Sequence, residues 1–278
     1  MLNALRYDFY RMFKSKGMCA TLIVCLLWTL FMSFFMYFIK EPQMPVAIMM
    51  LSDRDDPRAL AFVVFCCVFF WGDFSSGFVK NFRRNTTATS LYRLLSKLIC
   101  MLTFAVFLEL FYLAINTLFC YVRAHDIVGD YFFLGIPKDP ELHFPFMREW
   151  ASVEDMIICM CLHVEYMVAT GLLILAAYSI VRSGIVVSIA SLVYYMLCEN
   201  LYLAIEGIFH MKAWTFMNYT VVGNLKYAYY FVHYKYEGVY PDYIINPHFD
   251  VRLGMIGLGY VIVLFFITWL AMKKREVK

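Results

Sequence analysis

The chain has 278 residues, of which 63% are hydrophobic and only 16% are charged. Ordinary soluble domains carry about 25% charged residues, so this composition excludes such a domain and predicts an integral membrane protein. The formal net charge of +3 is too small to favour a nucleic-acid partner. We therefore expect the chain to be embedded in the lipid bilayer and to bind no nucleic acid.

The N-terminal residues have the pattern of a helix that lies along a membrane surface. Leu2, Leu5, Phe9 and Met12 recur at helical spacing, and basic residues occupy the flanks. This pattern predicts an amphipathic interface helix over residues 1–17. The alternative is a solvated segment that leads into the first span.

Six apolar runs follow, and each is predicted to be a membrane-spanning helix. The first run is too long for the apolar region of a signal peptide, so we expect it to be retained. The uncharged part of the second run ends early, at Gly72, and we expect its helix to continue through Asp73. The predicted spans cover approximately residues 18–39, 59–79, 98–122, 156–181, 184–205 and 253–272.

Lys and Arg residues are distributed unevenly between the connecting segments. The segments proposed to face the cytoplasm hold 14 of the 24 Lys and Arg residues, although the segments proposed to lie outside are longer. The proposed cytoplasmic segments are residues 1–17, 73–97, 182–183 and 273–278. Cytoplasmic loops of membrane proteins carry such an excess. The sequence therefore predicts an all-α fold, a single polytopic transmembrane domain over residues 1–278, with both termini in the cytoplasm.

The segment between the fifth and sixth predicted spans, residues 206–252, is rich in Tyr, Phe and Trp. Aromatic rings with a polar tip favour the membrane interface. We therefore predict that part of this segment dips into the outer leaflet as short helices or a re-entrant hairpin. A soluble, tyrosine-rich cap over the bundle is the alternative.

Residues 73–97 form a basic, hydroxyl-rich interval between the second and third apolar runs. The spacing of several residues in it resembles the loop after the second span of type-2 ATP-binding-cassette permeases. These residues are Asp73, Gly77, Lys80, Asn81 and, at the start of the next run, Lys97.

The resemblance implies that residues 80–97 are a cytoplasmic coupling segment that rests on a separate ATPase subunit. Exposed ion pairs contribute only about 0–1 kcal/mol each, so apolar insertion must supply most of that contact. Phe82, Leu91, Tyr92 and Leu94 are the available apolar anchors. The alternative is a basic loop that only enforces the orientation of the chain.

The chain contains no phosphate-binding loop of the form G-x-x-x-x-G-K-[ST], so we expect no ATPase activity and no bound cofactor of its own. The resemblance implies that ATP and Mg act through a partner ATPase. It also implies a permease subunit of a bacterial exporter in the plasma membrane, which moves a peptide, a drug or a lipid. Two copies, or this chain and a second permease chain, would enclose the pathway.

Two alternative functions need no ATPase. A secondary transporter would also use several spans and buried carboxylates, although such proteins favour interrupted helices and repeated halves. An immunity or scaffold protein would sequester a peptide through its aromatic outer loops.

Three carboxylates lie inside the predicted spans: Glu109, Glu165 and Glu199. An acidic side chain at the bilayer centre costs about 2.5–3.5 kcal/mol to insert, so each must face protein, water or a partner. Together with His163 they are candidates for lining a substrate pathway. The alternative is hydrogen bonding between helices.

No metal site or catalytic residue is expected. His163 and Glu165 are two residues apart, so they do not share a helix face, and the H-E-x-x-H motif is absent. Cys159 and Cys161 have neither the spacing nor the second pair that a zinc site requires.

Cysteine-accessibility labelling checks the predicted topology. In a Cys-free background, the Asp139→Cys and Tyr236→Cys variants should react with a membrane-impermeant reagent from outside. The Asn85→Cys variant should not react, because Asn85 lies in the basic interval that the charge distribution places in the cytoplasm. Outside labelling at Asn85 would contradict the topology.

Overall fold

The apolar runs of the sequence fold as helices wherever the structure describes them. A computed structural model describes residues 2–35, 57–75, 87–123, 153–181, 183–209, 220–223, 225 and 249–277, and within these ranges there is no strand. Its long helices are α1 (Leu2–Lys14), α2 (Lys16–Phe35), α3 (Pro57–Ser75), α4 (Thr87–Arg123), α5 (Val153–Ile180), α6 (Gly184–Phe209) and α7 (Phe249–Val277).

The lengths of the apolar stretches show that this is an all-α membrane protein, as predicted. The described residues include four stretches that are long and apolar enough to cross a membrane, one each in α2, α4, α5 and α7: Lys16–Phe35, Ser90–Phe119, Ile157–Ile180 and Val251–Lys274. Helices α3 and α6 contain shorter apolar stretches, Pro57–Gly72 and Gly184–Cys198. The count of six spans stays a prediction.

Helix α4 begins earlier than the predicted third span. It starts at Thr87 and runs to Arg123, so residues 87–97 of the predicted coupling segment form its first turns. Ser90, Leu94 and Lys97 are all buried, and their spacings of four and three residues place them on one helix face. Burial of this face favours a helix that is continuous through residues 87–97 over a separate element.

Helix α1 packs against α4 and α2 through one face. Leu5 and Phe9 contact the core, and Asp8 and Met12 are buried. Leu2 and Tyr10 remain exposed. Leu5, Phe9 and Met12 of the predicted apolar face therefore face the core together with a carboxylate, whereas Leu2 does not. The predicted interface helix at a membrane surface stays a prediction.

Helix α3 is the central helix among those described. It packs against α2, α4, α5 and α6, and its side chains from 57 to 70 are buried or half-buried on every face. A helix surrounded in this way is apolar all round because no face has to meet water. The one charged residue among residues 57–70 is Arg58, the second residue of the helix.

Phenylalanine rings fill the space between α3 and α4. The Phe65 ring centroid lies 4.0 Å from that of Phe104 in α4 and 5.3 Å from that of Phe69 one turn along α3. All three side chains are almost completely buried. Stacked rings at these distances add to the stabilisation that burial alone supplies.

A glycine brings α5 close to this aromatic layer. A Cβ atom built at Gly171 would overlap Met101 Sδ and lie 3.3 Å from both Cys66 Sγ and Phe62 Cε1. Small residues let membrane helices approach closely and gain packing contacts. Gly171 therefore allows α5 to pack against both α3 and α4.

Part of the segment between α6 and α7 also reaches the core. Thr220 Oγ1 accepts a hydrogen bond of 3.1 Å from the Gly223 amide, which caps a short helical turn. Val221, Val222 and Leu225 are buried in the main core cluster. The remainder of the predicted re-entrant or capping segment, residues 210–219, 224 and 226–248, lies outside the described residues.

Replacing Phe65 by Ala should lower the free energy of unfolding by about 3–5 kcal/mol, because the cavity removes contacts with two rings. The matched control is Phe107→Ala on α4, whose ring is 46% exposed and should contribute far less. Unfolding of both purified variants in a detergent–lipid mixture measures the difference. Equal losses of stability would show that the aromatic layer is not the core of the bundle.

Candidate functional site

The carboxylate of Glu109 on α4 holds together side chains from two other helices. Arg58 Nη1, at the start of α3, donates a hydrogen bond of 3.0 Å to Glu109 Oε2. His163 Nδ1, on α5, contacts Glu109 Oε1. The three side chains, here called the Glu109 cluster, are only 2–4% exposed.

The local sequence explains how Arg58 reaches this position. Pro57 is the first residue of α3, where its missing amide hydrogen costs nothing and its fixed φ suits a helix start. The Arg58 guanidinium lies 4.3 Å from the ring centroid of Tyr112. Tyr112 is three residues beyond Glu109, on the same face of α4, so α4 offers the cation both a carboxylate and a ring.

The role of the His163 ring in its contact with Glu109 depends on the charge of Glu109. An ionised carboxylate only accepts hydrogen bonds, so with Glu109 charged, His163 donates through Nδ1. Arg58 then balances the charge of Glu109. This pairing lowers the cost of a charge inside a membrane domain, whereas loss of one partner would leave the other charge buried and uncompensated.

A second polar cluster lies between α1 and α4, at the end of the stacked phenylalanine rings that is far from Glu109. Asp8 of α1 accepts a hydrogen bond of 2.6 Å from Ser96 Oγ at Oδ2 and pairs with Lys97 Nζ through Oδ1. Arg11, one turn along α1, donates to the Phe69 carbonyl of α3. We call Asp8, Arg11, Ser96 and Lys97 the Asp8 cluster.

The Phe69 ring contributes to the same cluster. The Lys97 ammonium lies 4.4 Å and the Arg11 guanidinium 4.6 Å from its centroid, within the range of cation–π attraction. Burial lowers the pKa of Arg11, while the attraction of Asp8 opposes this by favouring the charged form. The cluster therefore joins α1 to the facing ends of α3 and α4.

The residues predicted for ATPase coupling fall into three groups. Lys97 is buried within the chain as the partner of Asp8. Leu91 is half-buried and Tyr92 is 43% exposed, both on the first turns of α4. Gly77, Lys80, Asn81 and Phe82 lie outside the described residues, and of Asp73 the structure describes only its place near the end of α3.

The residues predicted for a pathway do not form one site in the described part of the chain. Glu109 and His163 meet directly. Glu165 is half-buried on α5 and faces α7 at Gly254 and Gly257. Glu199 lies on α6, and the structure does not describe its side chain.

Sequence reasoning missed Arg58 and Asp8. Arg58 lies just before the predicted second span, although a Pro-Arg pair directly before an apolar run is typical of the first turn of a helix. Asp8 lies between Leu5 and Met12 on the apolar face of α1. A carboxylate on an apolar face was the available signal that a buried cation faces it.

The described residues contain no group of three His, Cys, Asp or Glu side chains that could hold a metal ion. The Glu109 cluster offers charge pairing with the guanidinium of Arg58 and proton exchange between the carboxylate and the imidazole.

No protein-family model matches the chain, and no curated protein sequence matches it.

Replacing Arg58 by Met should lower the free energy of unfolding by about 3–5 kcal/mol, because Glu109 loses the cation that balances it. The double variant Arg58→Met/Glu109→Met should recover part of this loss, since the apolar pair needs no balancing charge, whereas His163 Nδ1 loses its partner. Unfolding in a detergent–lipid mixture measures all three proteins.

The matched control for this pair is Lys273→Met, which removes a cation 5.5 Å from the Trp269 ring at the end of α7. A cation–π contact at such a site contributes about 0.5–1 kcal/mol, so this variant should remain close to the parent. A double variant no more stable than Arg58→Met would contradict the pairing.

Proposed function

We propose that the chain is the permease subunit of a type-2 ATP-binding-cassette exporter, which moves a peptide, a drug or a lipid with energy from a separate ATPase. The observation that carries the proposal is the Asp8 cluster. It fastens the amphipathic α1 to both α3 and α4, the two helices that flank residues 76–86. Those residues belong to the interval whose sequence resembles the family.

The Asp8 cluster holds α1, α3 and α4 together, so a partner ATPase could move them as one unit. Hydrogen bonds to charged groups contribute about 1.5–3 kcal/mol each, and here they join α1 to α3 and to α4 at once. A force on the segment between α3 and α4 would therefore move three helices together. Loss of the contact between Lys97 and Asp8 would leave two buried charges unpaired, which opposes independent sliding of α1 and α4.

The proposal includes six spans, with both termini in the cytoplasm and the chain in the plasma membrane. Helices α3 and α6 have 19 and 26 residues, which at 1.5 Å per residue correspond to about 28 Å and 39 Å. A hydrocarbon core is about 30 Å thick, so α6 is long enough to cross it and α3 falls slightly short of it. The pathway would form between two copies, or between this chain and a second permease chain.

A secondary transporter is the second candidate, and the Glu109 cluster favours it. Ionisable groups inside membrane domains mark proton relays and ion pathways. The cluster brings together a guanidinium, a carboxylate and an imidazole, one from each of three helices. In this reading, protonation of Glu109 or His163 would change the pairing with Arg58 and so bias how α3, α4 and α5 pack.

The proposed function is tested by purifying the tagged chain from its native membrane and measuring the associated ATP hydrolysis. We expect an ATP-binding-cassette ATPase to co-purify and its hydrolysis to rise with substrate. The variant Phe82→Asp/Leu91→Asp should reduce stimulated hydrolysis to the basal rate, because charges replace two apolar anchors. Tyr121→Asp/Val122→Asp, an exposed aromatic–aliphatic pair at the opposite end of α4, is the matched control.

Two results would contradict this proposal. Stimulation of the Phe82→Asp/Leu91→Asp variant to the parent level would remove the coupling role of residues 80–97. Absence of an ATPase, together with substrate movement driven by an imposed proton gradient in liposomes, would instead support the secondary transporter.

A further inference from the structure

Glu165 occupies an environment unlike that of Glu109. It lies within the apolar stretch Ile157–Ile180 of α5, so its carboxyl is inside the proposed membrane domain. Its side chain is half-buried, and within the described residues no basic side chain pairs with it. An ionised carboxylate without a partner is costly at this depth.

Helix α7 has a notch that receives this carboxyl. A Cβ atom built at Gly257 would lie 2.9 Å from Glu165 Cδ, closer than real side chains come, and 3.1 Å from Oε1, which is tighter than most real contacts. A Cβ atom at Gly254 would lie 3.8 Å from Glu165 Oε2, an ordinary contact. The carboxyl therefore occupies the space that any other side chain at position 257 would fill.

The surroundings of the carboxyl are otherwise neutral. Tyr166, the next residue on α5, donates its hydroxyl to the Leu253 carbonyl of α7 at 2.9 Å, and it is near enough to both Glu165 and Tyr260 to interact electrostatically. His163 is engaged by Glu109. Tyr166 and Tyr260 carry no charge at neutral pH, and Arg252, the cation of α7 that precedes Gly254, is exposed and makes no described contact with Glu165.

We propose that Glu165 is a proton-binding site of the membrane domain, with its protonated carboxyl held in the notch at Gly257. The ligand is a proton, which enters and leaves through the exposed side of the carboxyl. Binding at Glu165 disrupts no described ion pair, whereas a proton on Glu109 would weaken the bond to Arg58. This proposal does not depend on the presence of an ATPase.

Modification by a hydrophobic carbodiimide, dicyclohexylcarbodiimide, tests the proposal on the full chain in its native membrane. The reagent requires a protonated carboxyl: the acid proton moves to one nitrogen of the carbodiimide while the carboxyl oxygen bonds to its central carbon. The acyl group then migrates from oxygen to nitrogen and forms a stable N-acylurea. No atom leaves, so the peptide gains the mass of one carbodiimide.

At neutral pH we expect the peptide that contains Glu165 to gain this mass, and the rate to fall as alkaline pH removes the proton. Glu109 is the internal control, because it is buried and ion-paired and should remain unmodified. The Glu165→Gln variant should show no modification of that peptide. Absence of modification at Glu165, equal modification at Glu109, or a rate independent of pH would each overturn the proposal.

Two glycine variants test the notch. Gly257→Ala puts a methyl group where the carboxyl lies, so the carboxyl must turn toward the exposed side of α5, and its modification should become severalfold faster. Gly254→Ala adds only an ordinary contact and should leave the rate unchanged. Equal rates in the two variants would show that the carboxyl is not held at Gly257.

Discussion

The need to balance buried charge inside a membrane domain sets the arrangement of these helices. Glu109 can lie in the interior because Arg58 and His163 approach it from α3 and α5. Asp8 can lie on the inward face of α1 because Lys97 faces it from α4. Apolar packing alone would allow neighbouring helices to slide or rotate, since lipid tails are as apolar as the side chains. The ion pairs fix which residues must meet.

Helix α3 connects the two clusters. Arg58 at its first turn belongs to the Glu109 cluster, and the Phe69 carbonyl accepts a hydrogen bond from Arg11 of the Asp8 cluster. These residues are eleven positions apart, or about 16 Å along the helix axis. The stacked rings of Phe65 and Phe104 fill the space between them. A movement of α1 or of the start of α4 therefore reaches the Glu109 cluster through one well-packed helix.

The helices were largely predictable from the sequence, because a long apolar run in a membrane has to satisfy its own backbone hydrogen bonds. Glu109 and His163 could each be selected from the sequence as candidate site residues, because an ionisable side chain inside a span costs free energy to insert. The contacts of Arg58 and His163 with Glu109 could not be predicted, because they depend on how α3, α4 and α5 pack. For the same reason the contact of the Lys97 ammonium with Asp8 could not be predicted. The notch at Gly257 has no signal in the sequence around Glu165.

The two membrane carboxylates whose side chains the structure describes therefore differ in what they can do. Glu109 is bound on both oxygens by groups from other helices, so a change in its charge acts on the packing of three helices at once. Glu165 lies against α7 where Gly254 and Gly257 carry no side chain, so a change in its charge acts on the contact between α5 and α7. Insertion cost alone cannot separate these cases, because it is similar for any carboxylate at comparable depth. The distinction lies in the partners, and these are set by packing.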